Sequence, residues 1–121
     1  MRVNRSLFTR VIKWRDKLPD SMNRTTEREI SEAVLIILSK LASGSASYAN
    51  LTKAVPTVIP LTAEDLVASD TRPNEAVWEQ RLRNITSHKK GDGNYINDGY
   101  LSEIPGGLSI TGAGLARAGQ I

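Results

Sequence analysis

The chain has 121 residues, 40% hydrophobic and 24% charged, which fits one compact domain with a single core and excludes wholesale disorder. It has no cysteine, which removes disulfides, thiolate metal sites and a cysteine nucleophile together and fits a reducing cytoplasm. Net charge is +3 but unevenly placed: residues 1–24 carry seven Lys/Arg against two Asp, residues 25–72 four against six, and residues 73–121 five against five.

Residues 5–18 read as a short basic helix, with Leu7, Val11 and Leu18 near one face and Phe8 and Ile12 beside them. Pro19 stops it. Residues 1–24 thus form a basic N-terminal helix and linker, and residues 25–121 the main domain. Trp14-Arg15-Asp16-Lys17 interrupts any apolar run after the basic start, so no secretory signal is expected. The densest apolar run, Ala33 to Leu38, is too short to cross a bilayer, and no membrane partner is expected.

Thr26 with Glu29 three residues later predicts a capping box. Ile30, Ala33, Val34, Ile37, Leu38 and Leu41 then follow at helical spacing. Leu35 and Ile36 widen this stripe, so the helix is either packed on two sides or takes part in self-association. Ser43-Gly44-Ser45 ends it. Ser47 can cap a short helix carrying Tyr48, Leu51 and Val55. Pro56 and Pro60 bracket an expected extended connection, and Thr62 caps another short helix, with Glu64 and Asp65 in its first turn.

A helix over about 74–88, with Pro73 at its first position, puts Trp78, Leu82 and Ile85 on one face. Gln80, Arg83, Asn84 and Ser87 fall opposite, with Arg81 and His88 on the flank. Gly91-Asp92-Gly93-Asn94 breaks it. Tyr100–Ile104 and Leu108–Ile110 read as two strands joined by Pro105-Gly106-Gly107. Tyr95 and Tyr100 are expected to close this hairpin against the core. Thr111 caps a last helical piece, with Leu115 as its expected core contact.

Catalysis finds little to work with. His88 is the sole histidine, so a histidine-based acid–base pair or a two-histidine metal site lacks its second member. Ser87 and His88, adjacent on a helix, point about 100° apart and make no dyad. The carboxylates show no metal-ligand spacing. We therefore expect a non-enzymatic protein without metal or cofactor. The polar face from Gln80 to Lys90 is more specific, holding Gln, Arg, Asn, Ser, His and Lys but no acid. Arg can grip guanine with two hydrogen bonds, and Asn or Gln can do so for adenine. Gln80, Arg81, Arg83, Asn84, Ser87, His88, Lys89 and Lys90 are accordingly candidate DNA contacts. Arg10 and Lys13 of the N-terminal helix are candidate backbone contacts that add affinity without reading sequence.

The pattern Trp78…Arg81-Leu82-Arg83-Asn84-Ile85…Ser87-His88, then Gly99-Tyr100-Leu101, then Gly106-Gly107-Leu108-Ser109-Ile110-Thr111-Gly112-Ala113-Gly114 is similar to the winged-helix domains of Mrr-type restriction proteins and related modules attached to HNH nucleases. Leu61-Thr62-Ala63-Glu64-Asp65-Leu66 matches a further segment of those domains. The likeness spans roughly residues 26–115. It implies a winged helix-turn-helix, mainly helical with a small β-hairpin and here with an extra N-terminal helix. It also implies a double-stranded-DNA-binding specificity module, with Arg81, Arg83, Asn84, Ser87 and His88 on the recognition helix and a wing at about 100–110 on the backbone. The stretch Lys89–Asp98 is longer than the link usual there, so the wing is expected to be displaced or enlarged. No nuclease domain accompanies the module, which leaves open a domain of a larger enzyme, a regulator or a phage-type inhibitor. The alternative is a protein-interaction module, with a protein partner or homodimer meeting the 26–42 helix or the N-terminal helix.

Overall fold

A computed structural model of the chain describes residues 23–121. The helix expected over residues 5–18, with Arg10 and Lys13, lies outside the described residues. The described part is a mixed, mostly helical fold with four α-helices and a small three-stranded antiparallel sheet.

Helix α1 (Glu27–Ser39) starts where the sequence predicts. The Thr26 hydroxyl accepts from the Glu29 N–H at 3.1 Å, and the Glu29 carboxylate accepts from the Thr26 N–H at 2.8 Å. Ile30, Ala33, Val34, Leu35 and Leu38 are buried, and Ile37 is partly buried against the same core. The stripe is wide because α1 is central, packing on α3 and α4 and touching the sheet.

A turn with Gly44 at φ +67 leads into strand β1 (Ser45–Ser47), a strand the sequence reading did not include. Helix α2 (Tyr48–Ala54) follows, capped by the Ser47 hydroxyl, which accepts from the Asn50 N–H. The expected extended connection after Pro56 is instead a 3₁₀ turn over Val55–Thr57. Its reason is burial: Val55 is fully inside, and its carbonyl accepts from both Val58 and Ile59. A second 3₁₀ turn covers Glu64–Leu66, where Thr62 and Asp65 exchange hydrogen bonds of 2.9 and 3.1 Å.

Helix α3 (Val77–Ser87) starts several residues later than the 74–88 expectation with Pro73 at its first position. Residues 75–77 are engaged elsewhere: Ala68 and Ala76 form an antiparallel bridge, the Ser69 N–H donates to the Glu75 carbonyl, and the Val77 N–H donates to the Val67 carbonyl. Ala76 offers no side-chain cap, so Glu79 reaches back to its N–H at 2.8 Å. Trp78, Leu82 and Ile85 are buried as expected, each side chain of this size contributing about 1.5–3 kcal/mol.

Strands β2 (Leu101–Ile104) and β3 (Gly107–Ile110) form the expected hairpin. The expectation of a lone hairpin is corrected by β1, which pairs antiparallel with β3, giving the order β1-β3-β2. Helix α4 (Gly112–Ala118) is capped by Thr111, whose hydroxyl accepts from the Gly114 N–H at 3.0 Å and donates to the Gly99 carbonyl at 2.5 Å. Leu115 is not the core contact expected of it. It is 51% exposed, while Gly114 is buried and Ala118 packs against the core. α4 lies so close to Tyr100 that a Cβ at residue 114 would meet the Tyr100 carbonyl oxygen.

The long stretch between α3 and the β2–β3 hairpin folds onto the body. Asn94 is buried and donates to the Ile85 carbonyl at 2.9 Å, while its side-chain oxygen accepts from the Ile96 and Asn97 N–H groups. Tyr95 is buried edge-on to Tyr100, with ring centroids 5.1 Å apart. Its hydroxyl donates to Glu32 at 2.9 Å, and Arg117 donates to the same oxygen at 2.5 Å. No helix among the described residues is long and apolar enough to cross a membrane.

Candidate nucleic-acid interface

The apolar face of α3 is fixed by α1 and α2, which turns its other face outward. The structure divides the polar residues of this helix into two groups. Gln80 and Arg81 face the chain itself. The Gln80 amide oxygen accepts from the Ser69 hydroxyl, and its nitrogen donates to Thr71 at 3.0 Å. Arg81 is half-buried and donates from Nη1 to the Thr25 carbonyl at 2.8 Å. These two side chains hold the segments flanking α3 and are poorly placed to read bases.

Arg83, Asn84 and Ser87 make up the outward group, with Arg83 and Ser87 exposed and Asn84 partly so. His88 is the C-cap residue, and Lys89 and Lys90 continue past the helix end, all three exposed. The absence of acid within this stretch is offset by acids from other segments. Arg83 Nε pairs with Glu75 at 2.6 Å, His88 Nδ1 with Glu27 at 2.8 Å, and Lys89 with Glu103 at 2.9 Å. Such exposed pairs contribute little to stability, about 0–1 kcal/mol each, but they lower the positive potential of the face.

Arg83 is the most constrained of the group. Its guanidinium carbon lies 5.7 Å from the centroid of the Tyr48 ring, within cation–π range. The Tyr48 hydroxyl bonds to Thr86, also on α3. Burial raises the Tyr48 phenol above its ordinary pKa, an effect the Thr86 bond and nearby Arg83 oppose. Tyr48, Glu75 and Thr86 are residues that sequence reasoning did not attach to the site. Tyr48 carries an aromatic signal, but nothing in its spacing points to α3.

Beside the first turns of α3 runs an open groove of about 430 Å³, with Arg24, Glu64, Asp70, Gln80, Arg81 and Asn84 among its lining residues. Leu66 and Val67, 60% and 58% exposed, lie at this end of the molecule, Val67 within the groove wall. Residues 23–121 carry ten Lys/Arg and eleven Asp/Glu, a net charge of −1, so the surplus positive charge of the chain belongs to residues 1–22. No protein-family model, curated protein or solved structure matches this chain.

Proposed function

We propose that the chain is a winged helix that binds duplex DNA without catalysis, with α3 as the recognition helix in the major groove and the β2–β3 hairpin as the wing on the backbone. The observation that carries this reading is the succession α1, β1, α2, α3, β2, β3, with β3 central in the sheet and the Arg83–Asn84–Ser87 face of α3 turned outward. A helix held by an apolar face, presenting Arg and Asn side by side, has the donors and acceptors that base edges require. The likeness to winged-helix modules of restriction proteins supports the same reading and suggests a specificity module or regulator.

The test is binding of the full chain to a duplex library, followed by a salt titration. Phosphate contacts release counterions, so affinity must fall steeply as salt rises. Arg83→Ala combined with Asn84→Ala should keep the fold, with a lowered melting temperature from the lost Glu75 and Tyr48 contacts, and remove base discrimination, at about 1–3 kcal/mol per lost bidentate contact. Unchanged discrimination in that variant overturns the assignment of α3.

The second reading is a protein-interaction module, including a small inhibitor of a nucleic-acid-handling complex. The neutralising acids Glu75, Glu27 and Glu103 favour it, as do Leu66 and Val67 beside the groove. Salt-insensitive association, with no duplex retained, would support this reading.

A further inference from the structure

We propose that Arg83 reads a guanine, and that Glu75 and Tyr48 are the positioning residues that preset it; this rests on the DNA-binding reading above. Glu75 takes the Nε edge of the guanidinium at 2.6 Å, while the guanidinium carbon lies over the Tyr48 ring, 5.7 Å from its centroid. Those contacts occupy the Nε edge of the group and restrain its guanidinium carbon over the ring, and no hydrogen bond to the terminal Nη1 or Nη2 is made among the described residues. The Nη1/Nη2 edge is the one that matches the O6 and N7 acceptors of guanine in the major groove.

The cradle is itself held in place. Tyr48 sits at the start of α2, and its hydroxyl is bonded to Thr86, three residues after Arg83 on α3, so the ring cannot swing away without breaking a contact between the helices. The Glu75 side chain is 19% exposed, and its other oxygen is buried and finds no donor among the described residues. A buried acceptor without a donor calls for a reason. Holding an Arg rigid supplies one, because a preset side chain loses less rotamer freedom when it binds.

A phosphate contact by the same side chain is the competing outcome, and the two leave different traces. The experiment selects bound duplexes from a randomised library with the full chain and with Arg83→Lys, Glu75→Gln, Tyr48→Leu and Tyr48→Phe, then measures salt dependence on the selected site. A guanine contact predicts one preferred G·C pair at which Arg83→Lys loses discrimination by about fivefold or more while the salt slope stays put. Glu75→Gln and Tyr48→Leu should lose part of the preference at that same pair and at no other. Tyr48→Phe keeps the ring but loses the Thr86 bond that holds it, and should lose less of the preference than Tyr48→Leu.

A selected site without a preferred guanine overturns the inference. So does uniform weakening across all sequences by Arg83→Lys, the trace of a phosphate contact. Full discrimination retained by folded Glu75→Gln overturns the positioning role. If the wild-type chain retains no duplex at all, the DNA-binding reading falls, and the inference with it.

Discussion

Asp65 grips Thr25 with both carboxylate oxygens, one accepting from the backbone N–H and the other from the hydroxyl, each at 2.6 Å. The second oxygen also accepts from the Thr62 N–H at 2.9 Å, and the whole side chain is buried. A buried charge is tolerable only when its lone pairs are met by donors, and here three donors converge on it. The start of the described chain is thereby fastened to the segment that leads into α3.

Asp65→Ala should be among the most damaging single changes in the domain. It strands the two buried donors of Thr25 and the part-buried Thr62 N–H, at a cost of about 3 kcal/mol. Asp65→Asn should cost less, because its amide oxygen still accepts while its NH₂ faces a donor. Urea unfolding of the two variants beside wild type checks the order; equal stability of all three would show that the clasp contributes nothing.

Gly107→Ala should destabilise the sheet. A Cβ at that position would run into the Ala46 carbonyl and crowd the Ser47 backbone, forcing β1 away from β3. Overpacking of this kind costs about 1–3 kcal/mol. Since β1 is only three residues long, its amides should lose hydrogen-exchange protection before those of β2. Protection unchanged at Ser45–Ser47 would contradict the close approach.

Stability should decline at alkaline pH. Burial, and then the bond its hydroxyl donates to Glu32, raise the Tyr95 phenol above its ordinary value of 10.0, and burial raises Tyr48 as well. A folded-state value raised above the unfolded one gives stability that is whole below the unfolded pKa and is lost as pH rises through the folded pKa. Unfolding free energy should therefore fall once pH passes about 10. Tyr95→Phe should flatten that limb while losing about 1–2 kcal/mol at neutral pH with the Glu32 bond. Denaturation at pH 8 and pH 10.5 measures both effects.

Removing residues 1–22 takes away six Lys/Arg and two Asp and leaves a body of net charge −1. Affinity for all duplexes should fall alike, with the log–log salt slope smaller by about one unit per lost phosphate contact. An unchanged slope with an altered oligomeric state in ultracentrifugation would instead give this segment to a protein partner or a second copy.

Local signals were legible in the sequence, and meetings at a distance were not. The caps at Thr26, Ser47 and Thr111 depend on groups three residues away, so composition and spacing suffice to find them. The buried face Trp78–Leu82–Ile85 is equally local. Strand β1 is Ser-Ala-Ser, without a β-branched residue, and is extended because β3 offers it partners 60 to 64 positions away. Leu115 reads as the core contact because hydrophobicity is visible in a sequence, whereas the close passage of Tyr100 over Gly114 is not. The candidate site shows the same division: Arg83, Asn84 and Ser87 follow from helical spacing, but the acids facing Arg83, His88 and Lys89, and the ring beneath Arg83, become visible only in three dimensions.

The bond from Arg81 to the Thr25 carbonyl sets where residues 1–22 join the body. A stretch of 22 residues reaches at most about 75 Å, so its six cations are tethered to a point beside the middle of α3. If the chain binds duplex DNA as proposed, phosphate contacts by these cations would present α3 to nearby bases at an effective concentration set by that length and not by the bulk solution.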